Sequence, residues 1–193
     1  MHDIEPWWGW RDEYSAEEDK KSPFHGRKYS EFSFSNKVYN YLIHPQWDYF
    51  GSETLYAKIL FVDYRLHFAI IELIGEWNDA LYNDIMFLKT KLADRLTDHK
   101  ISKFAIICEN VMNFHGEDDC YYEEWYDDIK DDRGWICLLN TYEHVSVEMQ
   151  KHRLHYYINV GEPYNNINWR GQKPIYTIQA LDKMINKSYK QLT

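Results

Sequence analysis

The sequence predicts an α/β domain with a mixed, mostly parallel sheet and helices, preceded by an aromatic-rich N-terminal arm or hairpin. Short runs rich in β-branched and aromatic residues alternate with stretches whose leucines and isoleucines recur at spacings of three and four. Strands separated by helices need crossovers, which make sheet neighbours parallel. The first two apolar runs are separated only by Asp63-Tyr64-Arg65, so one antiparallel hairpin opens the sheet and makes it mixed.

Residues 1–53 differ from the rest. WWGW (Trp7 to Trp10) leads into EYSAEEDKK, then into KYSEFSFS and KVYNYLIH. The alternation in the last two predicts a pair of short strands joined near Ser35-Asn36. No independent core is visible, so this segment is expected to pack as an arm on a body formed by residues 54–193. Tyr and Trp join an apolar body to a polar tip, which suits clamping, a pocket lining or a dimer seam equally.

In the body, Leu55 to Val62 and His67 to Ile74 read as the opening hairpin. Asn78 is placed to cap a helix, with Trp77 and Tyr82 as a hydrophobic staple. Leu81, Ile85, Leu88, Leu92 and Leu96 form that helix's single apolar stripe. Phe104 to Cys108 is the short apolar run of a strand covered on both faces, followed by a loop and a helix from Asp119 to about Lys130. Trp135 to Leu139 predicts a strand, Glu143 to Lys151 a helix, and Leu154 to Val160 another strand. Pro174 stands where a last helix starts, with Ile178, Leu181 and Ile185 on its apolar side.

A chain of 193 residues fits one domain that buries roughly 70% of its unfolded surface. The formal net charge of -9, without a Lys/Arg cluster, argues against nucleic acid and anionic membranes as partners. Three cysteines without paired spacing give neither a disulfide framework nor a zinc knuckle. MHDIEPWWGW lacks a secretory leader's basic start and apolar run, and no apolar stretch reaches the ~20 residues of a membrane helix. A cytoplasmic location without membrane insertion is the expectation.

Phosphate-loop, dinucleotide-fingerprint, nucleophile-elbow and zincin motifs are all missing. His144, Glu148, His152 and His155 lie close in sequence but lack a third ligand at recognisable spacing. Glu72, Glu76 and Glu109, at or near strand ends, could serve a paired-carboxylate hydrolase if one of them were buried with a raised pKa. Cys108 and Cys137 read as small hydrophobes. No cofactor or metal is implied.

The most informative stretch runs from Glu109 to Gly134. Between Glu117 and Asp132 it holds nine carboxylates and one lysine. Helical spacing puts Tyr122, Trp125, Tyr126 and Ile129 on one face and the carboxylates elsewhere. Asp118 and Asp119 suit the helix start, where they oppose the positive dipole end. Asp127, Asp128, Asp131 and Asp132 face the negative end, each at a cost of about 0.3–1 kcal/mol. An acid excess that helix stability does not explain points to a partner-binding surface, with Asn113, His115, Glu117, Asp118, Asp119, Glu124, Asp127, Asp128 and Asp131 as its candidates. A basic protein partner suits it, and a homodimer is an alternative. Carboxylates around a helix diverge, which disfavours calcium or magnesium.

The element order resembles the STAS domain of sulfate transporters and anti-sigma-factor antagonists, over about Thr54 to Leu192. In that family a turn before the second helix carries Asp, two hydroxyl residues and Gly, with a hydroxyl as phosphorylation switch. VMNFHG, Val111 to Gly116, occupies a similar place here. Asn113 stands near the family's Asp, Phe114 and His115 replace the hydroxyls, and Gly116 agrees. The resemblance therefore implies a non-enzymatic protein-interaction or regulatory module without the phosphate switch. A lipid or small-molecule binder of the same fold, with a pocket lined by aromatics from the arm and helices, and a hydrolase are the alternatives.

Overall fold

The computed structural model describes residues 3–30 and 32–191. The outer limits of the expected arm and body, together with Glu31, lie outside the described residues.

In the arm, β1 (Lys37–Val38) and β2 (Tyr41–Leu42) pair antiparallel. Their turn is Tyr39-Asn40, with Tyr39 at φ 50°, and not Ser35-Asn36 as alternation suggested. The first of the two expected strands does not form among the described residues: Tyr29 is drawn to Asp48 by a 2.7 Å hydrogen bond, and Phe32 lies exposed.

Four strands build the main sheet in the order β3 (Leu55–Asp63), β4 (Phe68–Asn78), β5 (Lys103–His115) and β6 (Trp135–Leu139). The first pair is antiparallel and the other two are parallel. This is the mixed, mostly parallel sheet that the element order predicts.

The helix expected after Asn78 forms in pieces. Asn78 does cap it, its side chain accepting the Leu81 N–H at 3.0 Å, but α1 (Asp79–Tyr82) ends after one turn. Asn83 adopts φ 51°, ψ 50° there, a left-handed conformation that Asn tolerates better than most residues. The chain restarts as α2 (Asp84–Phe87), widens into a π-helical segment (Leu88–Ala93) and closes as α3 (Asp94–Thr97). Ile85, Leu88, Leu92 and Leu96 are buried as their spacing predicts, whereas Leu81, ahead of the break, is exposed. The wider π turn buries adjacent pairs, Leu88 with Lys89 and Leu92 with Ala93.

α4 (Cys120–Lys130) and α5 (Glu143–Lys151) lie where the sequence puts them. The strand expected over 154–160 is instead a 3₁₀ turn, Leu154–Tyr156, followed by one parallel bridge between Asn159 and Cys137. Leu154 and Ile158, four apart and both buried, follow a helical rather than an alternating spacing. α6 (Pro174–Gln191) begins at its proline.

Both sheet faces are covered. One carries Ala57, Ile59, Ile71, Leu73, Phe104, Ile106 and Leu138 against Ile85, Leu88, Leu92, Leu96, Tyr122, Trp125, Ile129, Val145 and Met149. The other carries Leu60, Phe68, Ile70, Ala105, Ile107, Trp135 and Cys137 against α6 residues Ile178, Leu181 and Ile185, together with Trp10 and Trp169. The arm thus supplies part of the second layer. No described helix is long and apolar enough to cross a membrane.

Candidate functional site

The acidic unit separates into parts. β5 does not stop at Cys108 but runs to His115, pairing with β4 through Gly75–Val111, Trp77–Phe114 and Asn78–His115. Val111 and Phe114 are buried while Met112 and His115 are exposed, a spacing of three that follows from the register shift between the Gly75–Val111 and Trp77–Phe114 pairs. Asn113 and His115 are therefore strand residues and not members of a loop, and the turn into α4 is confined to Gly116–Asp119. The position expected to echo the STAS switch lies within the strand.

Asn113 is half-buried and its amide donates to Glu76 Oε1 at 3.3 Å. Glu117 is exposed, and its carbonyl oxygen lies 3.1 Å from His152 Nδ1. Asp118, and not Asp119, provides the side-chain bond at the helix start, accepting the Cys120 N–H at 3.2 Å. That hydrogen bonding holds the Asp118 carboxyl below its usual range, and the same contact to the Cys120 thiol raises the thiol to about 11. Cys120 is protonated at neutral pH.

Tyr122, Trp125 and Ile129 are buried on the inner face of α4, as spacing predicts. On its outer face the carboxylates do not act alike. Lys89, buried in the π segment, places Nζ 2.8 Å from Glu124, 2.9 Å from Asp94 and 3.0 Å from Asp128. Glu124 and Asp128, both expected to face a partner, are engaged by this intramolecular cation. Asp127 pairs with Lys130 at 2.6 Å. Asp131 and Asp132 are exposed and form no ion pair among the described residues.

The strand carboxylates are also sorted. Glu76 accepts from Tyr39 and Asn113 near the end of β4. Glu72 is in the middle of β4, opposite Lys58, and not at its end. It is buried on the face covered by the arm and accepts the Trp7 backbone N–H at 2.8 Å. Glu109 accepts from Asn140 at 2.6 Å and from Trp169 Nε1 at 2.8 Å. Arg170 joins the two, with Nη2 2.5 Å from Glu109 and 3.9 Å from Glu72, and its guanidinium lies 4.4 Å from the Trp169 ring centroid. Burial raises Glu72 to about 7, only partly opposed by the Trp7 N–H and Arg170. Glu109 is held below its usual range by Asn140, Trp169 and Arg170, which together outweigh its desolvation.

A third polar group lies at the entrance to α1. Asp79 and Asp84 are both buried. Asp79 accepts from Tyr122 at 2.6 Å, Ile85 N–H at 2.8 Å and Trp77 Nε1 at 3.1 Å. Asp84 accepts from Asn78 N–H at 2.8 Å and Thr54 at 2.9 Å. Every one of these bonds ties the β4-to-helix connection to its neighbours.

Among the described residues no group of three or more His, Cys, Asp or Glu side chains could hold a metal ion. His144 lies 2.8 Å from the Met112 carbonyl oxygen, and His152 lies 3.6 Å from Glu148. Among the described residues, one cavity lined by Trp7, Trp8 and Phe32 lies between the arm and the edge of β3, and another, lined by Tyr39, Tyr49, Tyr56 and Tyr82, reaches from the arm to α1. The cavity beside β3 is the one that concerns the arm's tryptophans, and it encloses about 530 Å³.

The sequence singled out the acidic residues and, within WWGW, Trp7, but not Lys89 or Arg170, whose roles depend on partners elsewhere in the chain. No family model and no curated relative matches the sequence. Among solved structures, the chain is similar to SpoIIAA, a Bacillus cell fate determinant in its phosphorylated form. The match has 14% identity, spans 55% of this chain and 92% of that one, and has a TM-score of 0.38.

Proposed function

We propose that this chain is a protein-interaction module whose contact surface is the outer face of α4 with the preceding turn. The supporting observation is the division of the acid excess. Lys89 engages Glu124 and Asp128, while Asp118, Glu123, Asp127, Asp131 and Asp132 remain exposed and, among the described residues, Asp127 alone of these five forms an ion pair, with Lys130. Negative charge at the C-terminal end of a helix opposes the dipole, so its placement is better accounted for by an external cation than by α4 itself. A basic protein is the fitting partner, reached by electrostatic steering that weakens with salt. Three free cysteines suit a reducing, cytoplasmic setting, and residues 1–53 act in this reading as an arm that completes the second layer.

The test is affinity capture with the full chain and with D127N, D131N and D132N combined, leaving the Lys89 network intact. Capture of basic proteins by the native chain, lost in the variant and at high salt, is the expected result. Equal capture by both chains rejects the surface.

The hydrolase reading has one observation in its favour, the convergence of Glu72 and Glu109 with divergent pKa values. Trp7 and Trp169 occupy that convergence through direct hydrogen bonds, which supports a fastening role for the pair.

A further inference from the structure

The arm and β3 enclose a cavity of about 530 Å³, within the size range of small-molecule sites. Its lining includes Trp7, Trp8, Arg11, Phe32, His44 and Lys58. Two buried donors on this lining, Trp7 Nε1 and Lys58 Nζ, have no hydrogen-bond partner among the described residues. Buried polar groups are ordinarily paired, and leaving a donor unmet is unfavourable. Lys58 Nζ stands 3.7 Å from Asp48, 3.9 Å from Glu17 and 3.8 Å from the Tyr29 ring centroid. Its charge is thereby compensated, but its hydrogen-bonding capacity is not.

The rim adds a flat apolar surface and a cation. Trp8 stacks on Trp7 with centroids 6.2 Å apart and planes at 26°, yet remains 59% exposed. Phe32 is 89% exposed. The Arg11 guanidinium lies 5.3 Å from the Trp8 ring centroid and forms no ion pair among the described residues. His44 is occupied by Glu5 at 3.4 Å, which leaves Arg11 as the cation available at the rim. Aromatic walls and an unpaired guanidinium at the rim together define a ligand with a ring system and an anionic group.

We infer that the cavity between the arm and β3 binds a small aromatic anion, its ring against Trp8 and its oxygens toward Arg11. Stacking and cation–π contact supply the apolar part, and the charge-assisted bonds supply selectivity for the anion. The inference is independent of the α4 surface, which lies on the opposite sheet face.

Fluorescence titration of the full chain with anilinonaphthalene sulfonate, an aromatic anion, tests it against the neutral probe N-phenylnaphthylamine. Saturation at one sulfonate per chain is expected, with the neutral probe about tenfold weaker. Trp8→Ala and Arg11→Gln are surface changes and should each weaken the sulfonate about tenfold without moving the thermal melt. In Arg11→Gln the two probes should bind alike. Non-saturating binding, equal affinity for both probes in the native chain, or unchanged affinity in both variants would overturn the site.

Discussion

Lys89 Nζ lies 2.8 Å from Glu124 Oε1, joining the π-helical segment over one part of the sheet to the acidic helix α4 beside it. The contact links two observations that look unrelated in sequence, a lysine within an apolar stripe and an excess of acid on another helix. The π turn brings Lys89 inward, and three carboxylates from α3 and α4 meet it. Opposing charges raise the lysine pKa in spite of its desolvation, so it carries its charge at neutral pH.

Lys89→Met keeps most of the buried stem and removes the charge. The three carboxylates are between one third and three fifths exposed, so water screens much of the attraction. The expected destabilisation is about 1–2 kcal/mol, seen as a lower urea midpoint with unchanged slope. It should shrink in high salt. Identical melts for the two proteins at low ionic strength would show that the network does not hold α4 in place.

Local chemistry explains which features the sequence discloses. The Asn78 cap, the inner face of α4, β6, α5 and the proline start of α6 each depend on neighbours within a few positions, and all form as their residues suggest. The extension of β5 through Val111 and Phe114 was hidden because a register shift breaks the alternation there and the polar residues among them resemble a loop. The break at Asn83 had a weaker signal, an Asn-Asp pair inside a helical pattern. Lys89 and Arg170 had none, because their partners come from other elements, and Trp7 was legible as part of an aromatic arm but not as the donor to Glu72. Among the proposed contact residues, Asp118 and Asp119 lie in the turn, Asp127 lies on α4 and Asp131 stands at its C-cap. Glu124 and Asp128 carry a structural charge pairing that only the tertiary arrangement discloses.

Gly75 controls how β4 delivers Trp77 and Asn78 to the first helix. It sits at φ +125°, and a Cβ there would lie 2.1 Å from the Thr54 carbonyl oxygen. The β4–β5 register shifts just beyond it, between Gly75 and Trp77. Gly75→Ala combines a backbone conformation that L residues avoid with a collision against main chain. A loss of at least about 2 kcal/mol is expected, measured by denaturant unfolding. Because the displaced segment carries Asn78 and Asp79, near-ultraviolet circular dichroism from Trp77 and Tyr122 should change as well. A variant as stable as the native chain would mean that Thr54 moves aside without consequence.

Glu72 makes arm packing depend on pH in a direction opposite to that of an ordinary ion pair. Its folded pKa is raised from 4.5 to about 7, so between those values the folded chain retains a proton that the unfolded chain has released. Stability from this group is complete below about pH 4.5 and is lost as pH rises through about 7. Asp79, raised from 3.8 to about 7 by burial, acts in the same sense, whereas Glu109 and Asp118, held low, lose their contribution as pH falls. Comparing the native chain with Glu72→Gln isolates the one group. Gln can still accept the Trp7 N–H, and its neutrality removes the titration. The stability difference should therefore shift in favour of the variant by roughly 2–4 kcal/mol between pH 5 and pH 8.5. Trp7 fluorescence in the native chain should report arm loosening over the same interval. A difference that stays constant across that interval would place the Glu72 titration elsewhere and separate the arm contact from its charge.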